Sequence, residues 1–246
     1  MIFSTGLKIL RLFVIVCLVF VAVQYATIFY FSQKVPQTTK PFEKIDQAAK
    51  LRVLFLGDST AVGTGTSSNI YSTAGWFSRD YPDASIDNYA KNGLRLKGFI
   101  DILSGLQGRH YDLSVMQIGC NDIIYMTRLS DIQKRQRQAV DLAKNISEQV
   151  IILHCGDLGK AKLFLWPLTE LYSWRSFKVR DIYRASEDSR VKYVDIIELE
   201  KSVKNLPSTY APDNLHLNDE GYHLSLIHIS EPTRLRRISY AVFCLK

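Results

Sequence analysis

Cysteine is scarce in this 246-residue chain: there are four, and only Cys120 and Cys155 lie away from the two ends that hold Cys17 and Cys244. Two cysteines make no disulfide framework, and their spacing is not that of a zinc site. No metal is expected. Internal repeats and low-complexity stretches are missing, and the composition lies far from disordered or collagenous values. A surplus of one charge is missing where it would matter. The formal net charge is +7, yet residues 45–223 carry 22 basic and 22 acidic groups, so the excess sits at the ends. No nucleic-acid partner is expected of such a core. The length suits one ordinary domain with extensions.

The first extension is apolar. From Leu12 to Gln33 no residue is charged, and about 20 apolar residues suffice for a helix to cross a bilayer. A cleavable signal peptide has a shorter apolar core followed by a small-x-small site. Here the run continues through Tyr25, Ile28, Phe29 and Tyr30 with no clean A-x-A. Residues 1–33 therefore read as a short tail and an uncleaved transmembrane signal-anchor. Lysines flank both ends, so positive charge does not set the orientation. The very short leading tail favours a single-pass protein whose large domain is extracytoplasmic. Residues 34–50, polar with two prolines, read as a linker.

The other extension reads as foreign. Leu224–Arg234 (LSLIHISEPTR) and Ile238–Lys246 (ISYAVFCLK) resemble translations of the two parts of a transposase-type sequencing-library adapter, and Leu235–Arg237 fills the interval an index would occupy. Residues 224–246 are accordingly expected to be a non-native tail, with the natural C-terminus missing after about Leu224.

Between the extensions, apolar runs bounded by turn residues recur at Leu51–Gly57, Ala84–Ala90, Tyr111–Gly119, Glu148–Gly156 and Arg190–Ile197. Helical stretches separate them. Leu94–Leu106 is periodic, Ser130 is placed to cap a helix over Asp131–Ile146, and Pro167 suits the first position of a helix reaching about Glu187. Alternating strands and helices predict a parallel sheet covered on both sides. In such sheets sites form beyond the carboxyl ends of the strands. The residues there are Gly57-Asp58-Ser59-Thr60, Lys91-Asn92-Gly93, Gly119-Cys120-Asn121-Asp122 and, further on, Pro212-Asp213-Asn214-Leu215-His216.

A serine needs a base to take its proton, and the base needs a third group to orient it. Histidines before residue 224 are His110, His154, His216 and His223, and only His216 has an acid, Asp213, three residues earlier in a Pro-bounded polar segment. Alone, that pair reads better as a capping acid and a surface imidazole. In this order, however, Gly-Asp-Ser, the later Gly, Gly-x-Asn-Asp and Asp-x-x-His resemble the SGNH (GDSL) hydrolase family over Leu51–Tyr222.

The resemblance implies a C-terminally truncated SGNH domain over 51–223. It would be a three-layer α/β/α fold with a flavodoxin-like parallel sheet of about five strands. It implies that Ser59 is the nucleophile, His216 the general base and Asp213 its orienting acid, with oxyanion donors from Ser59, Gly93 and Asn121. Asp58 and Asp122 would support these from behind. The expected activity is hydrolysis of a carboxylic ester through an acyl-enzyme, with no cofactor, on a small-molecule, lipid or acetylated-glycan substrate. An acyltransferase of the same fold and a silent envelope binding protein are the alternatives. The G-x-S-x-G elbow is absent.

Other residues read more plainly. Cys120 suits a small buried filler, with Cys120 and Cys155 as free thiols, and His154 suits a hydrogen-bonded core residue. Thr60–Thr66 lacks the Gly-Lys-Ser/Thr of a phosphate loop and reads as a flexible wall beside Ser59. Trp166–Trp174 could line an acyl pocket or pack as a helix face.

Overall fold

The computed structural model describes residues 2–34, 40–203 and 206–229. Five strands, β1 (Leu51–Gly57), β2 (Ala84–Asn88), β3 (Tyr111–Gln117), β4 (Ser147–Leu153) and β5 (Val191–Val194), pair in parallel in the order β2-β1-β3-β4-β5. Both faces of this sheet are covered, which is why β1 and β4 are apolar at consecutive positions, Val53–Leu56 and Val150–Leu153, rather than at alternate ones.

The two-residue period still divides the strands between two cores. Leu54, Leu56, Met116 and Ile152 face helices α4 (Leu96–Gly105), α6 (Leu129–Ile146) and α7 (Leu168–Arg184), meeting Phe99, Ile132, Ala139 and Val179. Val53, Phe55, Val115 and Ile151 face the other way, onto Ala74 and Phe77 of α3 (Thr73–Asp80). The result is the three-layer α/β/α architecture expected from the sequence. Four further helices complete it: α2 (Ser59–Val62), α5 (Cys120–Ile124), α8 (Ile196–Glu200) and α9 (Asp219–Ile229).

Element ends depart from expectation for local reasons. The carbonyl of Arg128 already accepts from the N–H groups of Asp131 and Ile132, both at 3.0 Å, so α6 begins at Leu129 and Ser130 is not its cap. Pro167 occupies the cap position of α7 rather than its first turn. β2 ends at Asn88, whose Oδ1 takes the N–H of Ala90 at 3.0 Å in a local turn. β2 is an edge strand, and it is not bare. Lys44 bridges Ile86 in antiparallel fashion and the Phe42 carbonyl accepts from Asn88 Nδ2 at 3.2 Å, so part of the linker stretch covers the edge.

At the N-terminus, α1 (Ile2–Ser32) contains the apolar segment Lys8–Ser32, 25 residues long. It is an apolar helix consistent with a signal-anchor or a signal peptide. Of the stretch that reads as foreign, Leu224–Ile229 continue α9, and 230–246 lie outside the described residues.

The chain adds β2 on one side of β1 and β3 on the other, so the order reverses between β1 and β3. Loops leaving the two strands diverge there and leave a crevice at their carboxyl ends.

Candidate active site

The crevice is built from the first strand outward. Gly57 closes β1 where the chain runs tight against β3: a Cβ there would stand 1.9 Å from the Gln117 carbonyl oxygen. Asp58 follows, fully buried, and its Oδ1 accepts from the N–H of Thr60 at 3.0 Å and from its hydroxyl at 2.8 Å. That cap starts α2 and makes Ser59 its first residue, whose N–H lies outside the helical ladder. Burial pushes the Asp58 carboxyl above its ordinary value, and the Thr60 bonds and the nearby His216 offset this only in part.

The histidine arrives from the far end of the chain. Ser59 Oγ and His216 Nε2 are 2.9 Å apart, and His216 Nδ1 is 2.5 Å from Asp213 Oδ2. Asp213 Oδ1 accepts from the N–H groups of Leu215 (3.1 Å) and His216 (3.0 Å), so one carboxylate holds both the ring and the backbone beneath it. Burial acts to raise the Asp213 pKa. The bond to His216, its charge and the two N–H groups outweigh that and hold the carboxyl below the usual range. With the proton on Nδ1, Nε2 accepts from the serine. This arrangement can relay a proton from Ser59 to an oriented base.

Gly93 and Asn121 border the same crevice. Gly93 has φ +74°, and a Cβ would touch nothing, so its requirement is conformational rather than spatial. Asn121 Nδ2 donates to the Leu94 carbonyl at 3.1 Å, which uses one of its two amide hydrogens. Asp122 beside it is fully buried. It accepts from Leu96 N–H at 2.8 Å and Thr127 hydroxyl at 2.9 Å, tying α5 to the start of α4 and the approach to α6.

A cavity of about 310 Å³ opens at Ser59, Gly93, Asn121 and His216 and runs along the ends of β3 and β4 to Leu158 and Ala161. Cys120 and Cys155 line it. Their mutual hydrogen bond, then burial, pushes Cys120 well above the ordinary thiol value, and burial raises Cys155. His154 also borders it, with Nδ1 2.9 Å from the Tyr193 hydroxyl, and burial holds its pKa down to about 4.

Sequence reasoning missed several members of this site. Glu200 lines the cavity; burial raises its carboxyl, which accepts from Asp157 N–H at 3.1 Å. It lies at the end of a five-residue helix and belongs to no motif. Thr64 donates to Asn92 Oδ1 at 2.7 Å, joining the loops after β1 and β2. The Thr60–Thr66 stretch is a wall, as read, but one pinned by hydrogen bonds: Thr66 Oγ1 to the Gly63 carbonyl (2.7 Å) and Tyr222 hydroxyl to the Thr64 carbonyl (3.0 Å). Conversely, Trp166 and Trp174 neither border the cavity nor pack in a core; both are exposed. At the opposite end of the sheet His110, Asp112 and Glu148 bring ligand atoms within 4.8 Å of one another, on the surface and away from this site.

The fold and the crevice define an α/β/α protein with a serine, a histidine and a carboxylate in line at a topological switch point. Residues 55–224 match the GDSL-like lipase/acylhydrolase family, and the chain belongs to that family of ester-hydrolysing enzymes. Solved structures of similar fold include a lipolytic G-D-S-L family protein from Veillonella parvula, at 17% identity and TM-score 0.60, with 74% of this chain and 97% of that one covered. A family 3 carbohydrate esterase from Clostridium thermocellum aligns at 18% identity and TM-score 0.55, covering 74% and 94%. Phospholipase A1 from Streptomyces albidoflavus aligns at 15% and 0.55, covering 74% and 99%. At these identities the likeness is one of fold. No curated protein matches by sequence.

Proposed function

We propose that the chain is a serine esterase in which Ser59 attacks the carbonyl carbon of a carboxylic ester. His216 takes the serine proton on Nε2 and passes it to the departing alcohol, leaving an acyl group on Ser59 Oγ. Water then attacks the acyl carbon, giving its proton to His216 Nε2, and the Ser59 Oγ–acyl bond breaks as His216 returns that proton to Ser59 Oγ and the acid leaves. Asp213 keeps the ring oriented and offsets the charge it gains. The N–H groups of Ser59 and Gly93 and the remaining amide hydrogen of Asn121 stabilise the oxyanion at each tetrahedral stage. The observation that carries this reading is the 2.9 Å approach of Ser59 Oγ to a histidine whose other nitrogen is held by a buried carboxylate.

The cavity supports the substrate class. Ile124, Leu158, Ala161 and Leu215 give it an apolar wall beside the serine, suited to an acyl group of modest length. Both a carbohydrate esterase and a phospholipase share the fold, so the alcohol is read from location. With α1 retained as an anchor and the domain outside the cytoplasm, the substrate is a lipid or acetylated-glycan ester of the cell envelope.

A fluorophosphonate probe tests the reading. It should label wild-type protein at Ser59, and Ser59→Ala should abolish both labelling and p-nitrophenyl ester turnover while the melting curve is kept. Undiminished turnover by the folded variant removes Ser59 from the mechanism.

A further inference from the structure

Apolar side chains left in water by a fold are ordinarily scattered, and a contiguous patch marks an interface. On α7, Leu171, Trp174 and Phe177 recur at every third position and are exposed, while Tyr172, Arg175, Val179 and Tyr183 fill the opposite arc against the sheet. Trp166, next to the cap residue Pro167, is 74% exposed and Trp174 is 51% exposed. The turn after α5 is bound to α7, because Arg175 Nη2 donates to the Thr127 carbonyl at 2.6 Å. It adds exposed Tyr125 and Met126 beside the helix. Two tryptophans and four further large apolar groups therefore stand on one region of an enzyme whose cavity they do not line.

A second observation says what covers them. α1 leaves nearly every Leu, Val, Ile and Phe of its apolar stretch exposed, a surface suited to hydrocarbon. Gln24 is the exception: it is buried, and its amide clamps the domain from both atoms. Nε2 donates to the Leu163 carbonyl at 3.1 Å, and Oε1 accepts from Leu165 N–H at 2.9 Å. The next residue is Trp166. The apolar helix is thus bonded to the segment that leads directly into the tryptophan-bearing face. From Gln24 to Ser32 the helix rises only about 12 Å. That part lies beside the domain, with Phe31 packed on its core, so a bilayer takes Ile2–Val23, about 33 Å of helix, and ends close to this segment, at the depth where tryptophan is favoured. Lys162 and Lys178, both exposed, sit in the same stretch.

We infer that the face formed by Trp166 and the Leu171–Trp174–Phe177 stripe docks on the lipid surface that α1 enters, in the headgroup layer. The domain lies against the bilayer with its α7 side and does not swing freely on a tether. This rests on the anchor reading above, not on the assignment of Ser59.

The chain's three tryptophans supply the test. Trp76 belongs to α3 on the opposite side of the sheet, stacked on His223 with ring centroids 4.2 Å apart. Full-length protein is reconstituted in phosphatidylcholine–phosphatidylglycerol vesicles, with or without acyl chains brominated near the headgroup. Trp76→Phe, which keeps Trp166 and Trp174, should lose at least about half its fluorescence in brominated vesicles, as interfacial tryptophans would. The double variant Trp166→Phe/Trp174→Phe, which keeps Trp76, should be quenched little. Retention after carbonate washing and hydrolysis of a soluble ester are measured on the same samples, and both variants should match wild type in hydrolysis. Protein retained on vesicles but unquenched at Trp166 and Trp174 overturns the docking while the anchor stands. Protein washed from the vesicles overturns the anchor reading and the docking together. Cross-links between two copies through Trp174→Cys assign the face to self-association and overturn it as well.

Discussion

Gly65 lies against the backbone that carries His216. A Cβ at Gly65 would stand 2.9 Å from the His216 Cβ and 2.3 Å from the Leu217 carbonyl oxygen, and its φ of +103° is closed to ordinary side chains. The loop after the first strand therefore seats the histidine loop, and a methyl group in between must push one of them away. Gly65→Ala should lower kcat/KM on a soluble ester at least about tenfold, because displacing His216, the proposed general base, by a fraction of an ångström is costly. Gly108→Ala is the control: it has φ +90° but open space around it. It should destabilise the protein in thermal melts and leave kcat/KM of the folded fraction unchanged. Equal kinetic effects from the two variants would deny the seat its role.

Asn121 separates substrate binding from transition-state stabilisation. Its amide spends one hydrogen on the Leu94 carbonyl, and the other serves the oxyanion role proposed above. Asn121→Ala should reduce kcat by about 10²–10³, corresponding to roughly 2.7–4 kcal/mol, with KM nearly unchanged. A rise in KM alone would make Asn121 a binding group.

His154 makes stability depend on acid. Burial depresses its folded-state pKa to about 4 from 6.5. Below pH 6.5 the unfolded chain takes up a proton that the native chain refuses, so folding weakens as the pH falls. The contribution is intact above about pH 6.5, is lost progressively toward pH 4, and amounts to an order of 3 kcal/mol. Melting temperature should fall between pH 7 and pH 4.5, and His154→Gln should flatten that slope. An unchanged slope in the variant assigns the acid sensitivity elsewhere.

Cys120 and Cys155 face one another in the cavity with raised pKa values, so neither forms thiolate readily at neutral pH. Iodoacetamide should modify neither in the native protein at pH 7.5 and both after denaturation. Intact mass should be the same before and after reduction. A gain of two mass units on reduction would show that the pair had been oxidised.

Much of the fold was written in composition. A strand covered on both faces is apolar at consecutive inner positions, so Val53–Leu56 and Val150–Leu153 stand out in the sequence as uninterrupted apolar runs. Candidate site residues could be named by type and order along the chain. Their geometry could not. Ser59 and His216 are 157 residues apart, and their 2.9 Å approach depends on sheet order and on the seat at Gly65. Glu200 was invisible because only the packing of a short helix turns it into the cavity.

The tryptophans of α7 show the same division. Sequence places Trp166 and Trp174 within or beside a helix, and a helix has a 3.6-residue period whichever side it buries. Which arc is left uncovered by protein was decided by Tyr172 and Arg175 gripping the end of α5 and the turn after it, and by Gln24 of α1 holding Leu163 and Leu165. Those contacts join parts of the chain 48 and about 140 residues apart, a separation that no local pattern encodes.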